Sequence, residues 1–194
     1  TASTGQRRQP SLRDIDIQAG VNLQTKNTDF APNERSLYLG PNFQFGVGAG
    51  YLNIALQVRQ EWNRNGILGR NEDYAMGFNI EPVWSFPFHL GSTALTFEGY
   101  ADHNSPKGRD TAGQQTRAEL IARPQLKVDV GPLFGLSSNL LELGVGVEYW
   151  NNLFGKNGNR VPGARQTTPV ISLGVRWPRP AQAPRSTAAV PAGY

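Results

Sequence analysis

The sequence predicts an all-β protein, an antiparallel up-and-down transmembrane β-barrel, and three observations carry the prediction. Apolar and polar residues alternate along about eight segments, the two-residue period of a strand with chemically opposite faces. The connections between segments are alternately long and short, as in a membrane meander whose two ends differ. Aromatic residues gather near the segment ends, where the two interfaces of a bilayer hold amphipathic rings.

The bulk composition leaves a barrel open and closes other routes. The chain has 194 residues, 38% of them hydrophobic, and 22 glycines. Its mean hydropathy is −0.45. No run approaches the ~18 consecutive apolar residues of a transmembrane helix, whereas a barrel hides its apolar residues at every second position. There is no cysteine, so neither a disulfide framework nor a thiolate site is expected. A scattered net charge of +4 does not point to nucleic acid. The opening "TASTGQRRQPSLRD" has arginines but no apolar stretch behind them, so no signal peptide is read and the chain is expected to be mature, truncated or never exported.

Residues 1–12 are expected to be a flexible segment, 13–177 the barrel and 178–194 a Pro/Ala-rich disordered tail. The first strand carries Ile15, Ile17, Ala19, Val21 and Leu23 against Asp14, Asp16, Gln18, Gly20 and Asn22. Leu37, Leu39, Phe43, Phe45 and Val47 mark the second, and Leu52, Ile54, Leu56 and Val58 the third. The fourth runs from Tyr74 through Phe78, Ile80 and Trp84 to Phe88, and the fifth carries Leu95 and Phe97. Ala118, Leu120, Ala122, Leu126 and Val128 define the sixth. In the seventh, "LELGVGVEYW", Leu141, Leu143, Val145, Val147 and Tyr149 oppose Glu142, Gly144, Gly146 and Glu148. Ile171, Leu173, Val175 and Trp177 close the series.

Residues 27–36, 63–73, 103–115 and 151–166 form the long connections; 48–50 and 89–91 are short, and 131–138 is intermediate. Trp62, Tyr74 and Tyr149 fall at the long-loop ends of their strands, and Trp84, Phe86, Phe88 and Trp177 toward the short turns. Pro82 and Pro124 interrupt the apolar faces, where each would remove a ladder hydrogen bond.

If the apolar faces meet lipid, the polar faces line a lumen. By parity that lumen holds Arg59, Glu61, Glu98, Tyr100, Asp102, Arg117, Glu119, Arg123, Gln125, Lys127, Glu148 and Trp150. Tyr100 and Trp150 would be stacking rings, and the charged groups would hold hydroxyls or set ion preference. The bland alternative is that these charges pair across neighbouring strands and pin the register. No catalytic motif is present: His103 beside Asp102 and Ser105 is adjacency, not triad geometry. Neither cofactor nor metal is expected.

Four stretches occur in an order that resembles a known family: "GYLNIALQVRQEWNRNG" (residues 50–66), "LTFEGYADHNSPKGRD" (95–110), "ELIARPQLKVDVGPLFG" (119–135) and "LELGVGVEYWNNLFG" (141–155). Together they are similar to the nucleoside-specific channel-forming (Tsx-like) proteins of Gram-negative outer membranes. The resemblance implies a twelve-stranded porin-like barrel passing nucleosides or similar small solutes by passive diffusion, with outer-membrane lipid and the solute as partners. It also implies that some four N-terminal strands of the family lie outside these residues, and that Trp177 stands where the family's terminal aromatic does. Two other readings stay open. One is a closed eight-stranded barrel filled by its own side chains, with a structural or surface-binding role. The other is a soluble ligand-binding barrel of opposite polarity.

Overall fold

In the computed structural model, residues 10–23, 33–64, 69–110, 112–138 and 140–175 are described. They form one antiparallel sheet of ten strands. The strands are β1 (Ser11–Leu23), β2 (Asn33–Val47), β3 (Gly50–Arg64), β4 (Asn71–Asp73), β5 (Gly77–Leu90), β6 (Thr93–Asn104), β7 (Glu119–Ala122), β8 (Gln125–Asp129), β9 (Leu141–Asn151) and β10 (Arg165–Val175). The main path runs β1-β2-β3-β5-β6-β7-β9-β10, with β4 paired to β3 and β8 between β6 and β9. Among the described residues β1 and β10 are each paired on one side only, so they are the two edges of the sheet. No α-helix is present among these residues; two 3-10 turns occupy Gly131–Phe134 and Leu153–Gly155.

The path has the eight positions that the alternation implies, and ten strands result for two physical reasons. Pro124 has no N–H to give the ladder, so the sixth segment divides into β7 and β8 with β6 and β9 flanking both parts in unchanged register. The ladder gap is bridged by Arg123 N–H to the Tyr100 carbonyl at 2.9 Å and Val147 N–H to the Pro124 carbonyl at 3.2 Å. Strand β4 lies inside the expected long connection 63–73, where three residues fold back on the end of β3. The pairing of β5 with β6 likewise skips Pro82, which keeps its place opposite Ile54 of β3.

Some boundaries move. Ser11 and Leu12 belong to β1 rather than to a flexible segment, and β2 begins at Asn33, inside the expected connection 27–36. Arg176, Trp177 and the tail at 178–194 lie outside the described residues. Tyr74 precedes β5 and is buried instead of standing in an outer aromatic belt. The short turns behave as expected: Gly48 and Gly91 have φ of 58° and 61°, the positive values that two-residue hairpins use.

The strand period sorts the chemistry into an inverted protein. Across β1, β2, β3 and β5, Ala19, Leu39, Val58 and Phe78 stand in one register row. Of that row Leu39, Val58 and Phe78 are exposed, as are Ile17, Leu56, Val145 and Ile171 on the same face. The buried polar residues include Glu34, Ser36, Gln57, Arg59, Glu61, Asn79, Asn104, Glu119 and Glu142, whereas the buried hydrophobic residues are Ala55, Tyr74 and Ala164. Burial of charge together with exposure of large apolar side chains is the reverse of a water-soluble core.

Close backbone approach at glycine accompanies the Pro124 gap. A Cβ on Gly99 would lie 2.9 Å from both Pro124 Cα and the Trp84 ring, and one on Gly146 would lie 2.9 Å from Gln125 Cα. At Gly20 the nearest atom would be Tyr38 Cβ at an ordinary 3.7 Å. Gly99→Val should therefore destabilise the fold by about 1–3 kcal/mol through overpacking against backbone. Gly20→Ala should leave stability unchanged or slightly raised. Equilibrium unfolding of the two variants side by side checks the contrast.

Candidate functional site

Side chains two apart on one strand share a face, and this brings Glu34 and Ser36 of β2 against Arg59, Glu61 and Asn63 of β3. Ser36 Oγ donates to Glu34 Oε1 at 2.8 Å, and Arg59 Nη2 reaches the same oxygen at 3.1 Å. Arg59 also pairs with Glu61, and Asn63 Nδ2 donates to Glu61 Oε1 at 2.7 Å. The fourth charge comes from a loop: Lys107 Nζ pairs with Glu61 and sits 4.4 Å from the centroid of the Tyr74 ring. All four charged side chains are nearly inaccessible to solvent. Buried ions are tolerable when paired and hydrogen-bonded on both sides, and this chain of contacts alternates acid and base.

The loop that delivers Lys107 folds in between β6 and β7. Ser105, Lys107, Asp110 and Thr116 are all buried. Lys107 N–H donates to Thr116 Oγ1 at 2.9 Å, and Thr116 N–H closes on the Gly108 carbonyl at 2.8 Å. Asp110 Oδ1 accepts the N–H groups of Ala112 at 3.0 Å and Gln114 at 2.9 Å, and Oδ2 meets Lys156 Nζ from the β9–β10 connection. That second loop is held by Arg117 N–H to the Gly155 carbonyl at 2.8 Å and by Gly155 N–H to Glu119 Oε2 at 3.1 Å. Asn152 and Phe154 adopt left-handed φ of 59° and 57°. Asn152 is fixed there by its own amide, which donates to the Ala118 carbonyl at 2.7 Å and accepts Gly158 N–H at 2.9 Å. The two long connections at this end of the sheet are thus interlocked.

Two further polar groups occupy the inner face. Toward the short turns Lys127 pairs with Glu98 at 2.7 Å, and nearer the long connections, at the far end of β9, Glu148 receives Arg123 at 3.7 Å and Trp150 Nε1 at 2.9 Å. Gln125 accepts from Ser172 Oγ of β10 at 2.9 Å. In the register rows of Glu119 and Trp150, the Asn79 amide donates to Asp102 and, at 3.1 Å, to Asn104. Two adjoining cavities of about 480 and 310 Å3 lie alongside and share Gln18 and Glu81 in their walls.

The residues expected from parity therefore divide. Arg59, Glu61 and Glu119 belong to the network beside the long connections; Glu98, Arg123, Gln125, Lys127, Glu148 and Trp150 take part in contacts along β6 to β10; Asp102 lines the smaller cavity. Tyr100 is half-buried opposite Val83. Arg117 is the exception: it stands before β7 in the loop and is exposed, because the segment turns into a strand only at Glu119. Trp150 is tied to a carboxylate by its indole N–H rather than left as a free stacking ring. Asp102 and His103 are consecutive in β6 and face opposite ways, His103 standing 6.4 Å from Phe78 on the apolar face, so no triad assembles with Ser105. Lys107, Asp110 and Glu34 were not foreseen. The first two lie in "SPKGRD", where no strand period assigns a direction, and Glu34 lay in an expected loop.

No protein-family model matches the chain, and no curated protein or solved structure shows significant similarity to it.

Burial opposes ionisation of Asp110, but the Lys156 ammonium and the Gln114 and Ala112 N–H groups outweigh it and hold the carboxyl below the ordinary carboxylate value. Burial and then the Glu72 carboxylate that accepts its hydroxyl at 2.7 Å push Tyr74 far above the usual phenol. Lys107→Met should leave Glu61 undercompensated and destabilise the fold by about 3 kcal/mol. It should also make the exposed Arg109 a fast tryptic site, read by limited proteolysis and mass spectrometry. A depressed folded pKa means that the Asp110 tether is complete above the unfolded carboxylate value of 3.8 and is lost as pH falls through the folded one. The protection of the Ala112 and Gln114 amides, intrinsic over observed hydrogen-exchange rate at each pH, should accordingly stay high at neutral pH and fall only in that acid window.

Proposed function

We propose that this chain is a membrane-embedded β-protein whose inner face forms a passage for small polar solutes across a bacterial outer membrane. The single observation carrying the reading is the inverted burial: Glu34, Arg59, Glu61, Lys107 and Glu119 inside, against Leu39, Leu56, Val58, Phe78, Val145 and Ile171 outside. Lipid is the solvent that tolerates such an outer face, and only closed strand arrangements or helices satisfy the backbone there. No helix among the described residues is long and apolar enough to cross a membrane. A soluble ligand-binding barrel would need the opposite polarity. The similarity of the quoted segments to Tsx-like channels names nucleosides as the first solutes to try. Transport would be passive, through a lumen lined by the paired groups of β3, β6, β8 and β9.

A second reading has its own support. Because the Lys107 loop fills one mouth, a closed barrel with a structural or surface-binding role fits the same strands.

Leu56 is 42% exposed in mid-strand, so Leu56→Arg should destabilise membrane insertion by about 2–4 kcal/mol, measured by folding into liposomes. Single-channel recording in planar bilayers separates the two readings. A small conductance blocked by nucleosides but not by hexoses supports the channel, and a folded protein without conductance supports the closed form. A folded, monomeric protein in detergent-free buffer overturns both.

A further inference from the structure

The inward cations are spoken for by one set of carboxylates, and a second set has none. Arg59 and Lys107 are held by Glu34 and Glu61, Lys127 by Glu98 and Arg123 by Glu148. Asp16, Glu81 and Asp102 line the two adjoining cavities, with Glu81 common to both. Among the described residues none of these three forms an ion pair. The direct partners are amides: Gln44 on Asp16 at 2.6 Å, Gln18 on Glu81 and Asn79 on Asp102. A second observation points the same way. Asn79 lines the smaller cavity and is 2% exposed, and its Oδ1 accepts from no donor while its nitrogen is committed to Asp102 and Asn104. The wall thus offers carboxylates spaced along a cavity and a buried carbonyl acceptor, with the aromatic rings of Tyr38 and Tyr51 beside them. No positively charged side chain lines either cavity; the nearest cation, Arg59, stands 5.7 Å from the Tyr38 ring, attracts Asp102 from outside the wall and is itself paired with Glu34 and Glu61.

We propose that the two adjoining cavities form one binding site for a linear aliphatic diamine or polyamine. One ammonium sits between Glu81 and Asp102 and donates to Asn79 Oδ1. The other lies toward Asp16 and beside the Tyr51 ring, where cation–π attraction to the ammonium adds to the carboxylate contact, and the methylene run spans the space between. Mono-cations occupy only one end and bind more weakly, and neutral nucleosides, which bring hydroxyl donors but no charge, bind more weakly than the diamine. The site deepens the passage proposed above and rests on that reading for its biological sense, although the binding itself needs no conductance.

Titration calorimetry of the folded protein in detergent, near neutral pH and at low ionic strength, tests it with putrescine, butylamine and adenosine. Putrescine should bind at least about tenfold more tightly than butylamine, and Glu81→Gln and Asp102→Asn should each weaken it by about tenfold or more. Asp73→Asn, at an exposed position of β4, should bind as the parent does. Heat-modifiability on gels identifies variants that have not folded, and Asp16→Asn provides an independent variant at the far end of the cavity. No putrescine binding by the folded parent, equal binding by folded Glu81→Gln and Asp102→Asn, or binding of adenosine alone overturns the proposal. Putrescine binding without conductance would overturn the channel reading and leave the site standing, and conductance without binding would do the reverse.

Discussion

The contacts linking Glu34, Arg59, Glu61 and Lys107 set the conditions for most of what surrounds them. Three of the four side chains are carried inward by strand parity on β2 and β3. Once there, they leave water, and an uncompensated buried ion is far more damaging than an unmade surface pair. Arg59 alone cannot serve both Glu34 and Glu61 fully, so the second cation must come from elsewhere. It comes from the β6–β7 loop, whose turn of Thr116 on Gly108 and Lys107 is built to bring one ammonium into the mouth. The position of that loop against the sheet is a consequence of charge balance among these groups.

The outer face obeys a different constraint. Leu, Val, Ile and Phe recur at every second residue, and antiparallel register aligns them in rows that cross several strands, such as Ala19, Leu39, Val58 and Phe78. A slip of one residue would send the whole apolar set inward and every carboxylate outward. Register is therefore specified by both faces at once. Prolines within such strands are admitted where the ladder can be bridged around them, and at Pro124 the neighbouring Gly99 and Gly146 let the backbones approach.

Function follows from how the inward charges are distributed. Around Glu61 and along β6, β8 and β9, acids and bases neutralise one another and fix strands together. Beside those groups Asp16, Glu81 and Asp102 have amides as their direct hydrogen-bond partners. The interior is consequently uneven: rigid and neutral where it is paired, acidic where it is hollow. The segments "SPKGRD" (105–110) and "NNLFGK" (151–156) interlock through Asp110 and Lys156, so two stretches without a strand period fix one another.

By itself the sequence determined the all-β class, the order of the strands, the face each strand residue takes and the alternation of long and short connections. These properties are local: a two-residue period and a glycine in a tight turn are written within a few neighbouring residues. Parity likewise placed Arg59, Glu61, Glu98, Asp102, Glu119, Arg123, Lys127 and Glu148 on the inner face. Only the tertiary structure decided which of them meet. It paired Glu61 with Lys107 across 46 residues of chain, left Arg117 outside, turned Tyr74 inward and tied Trp150 to Glu148. A loop has no period from which direction can be read, and the partner of a buried charge is chosen by distance in space among all groups of opposite sign.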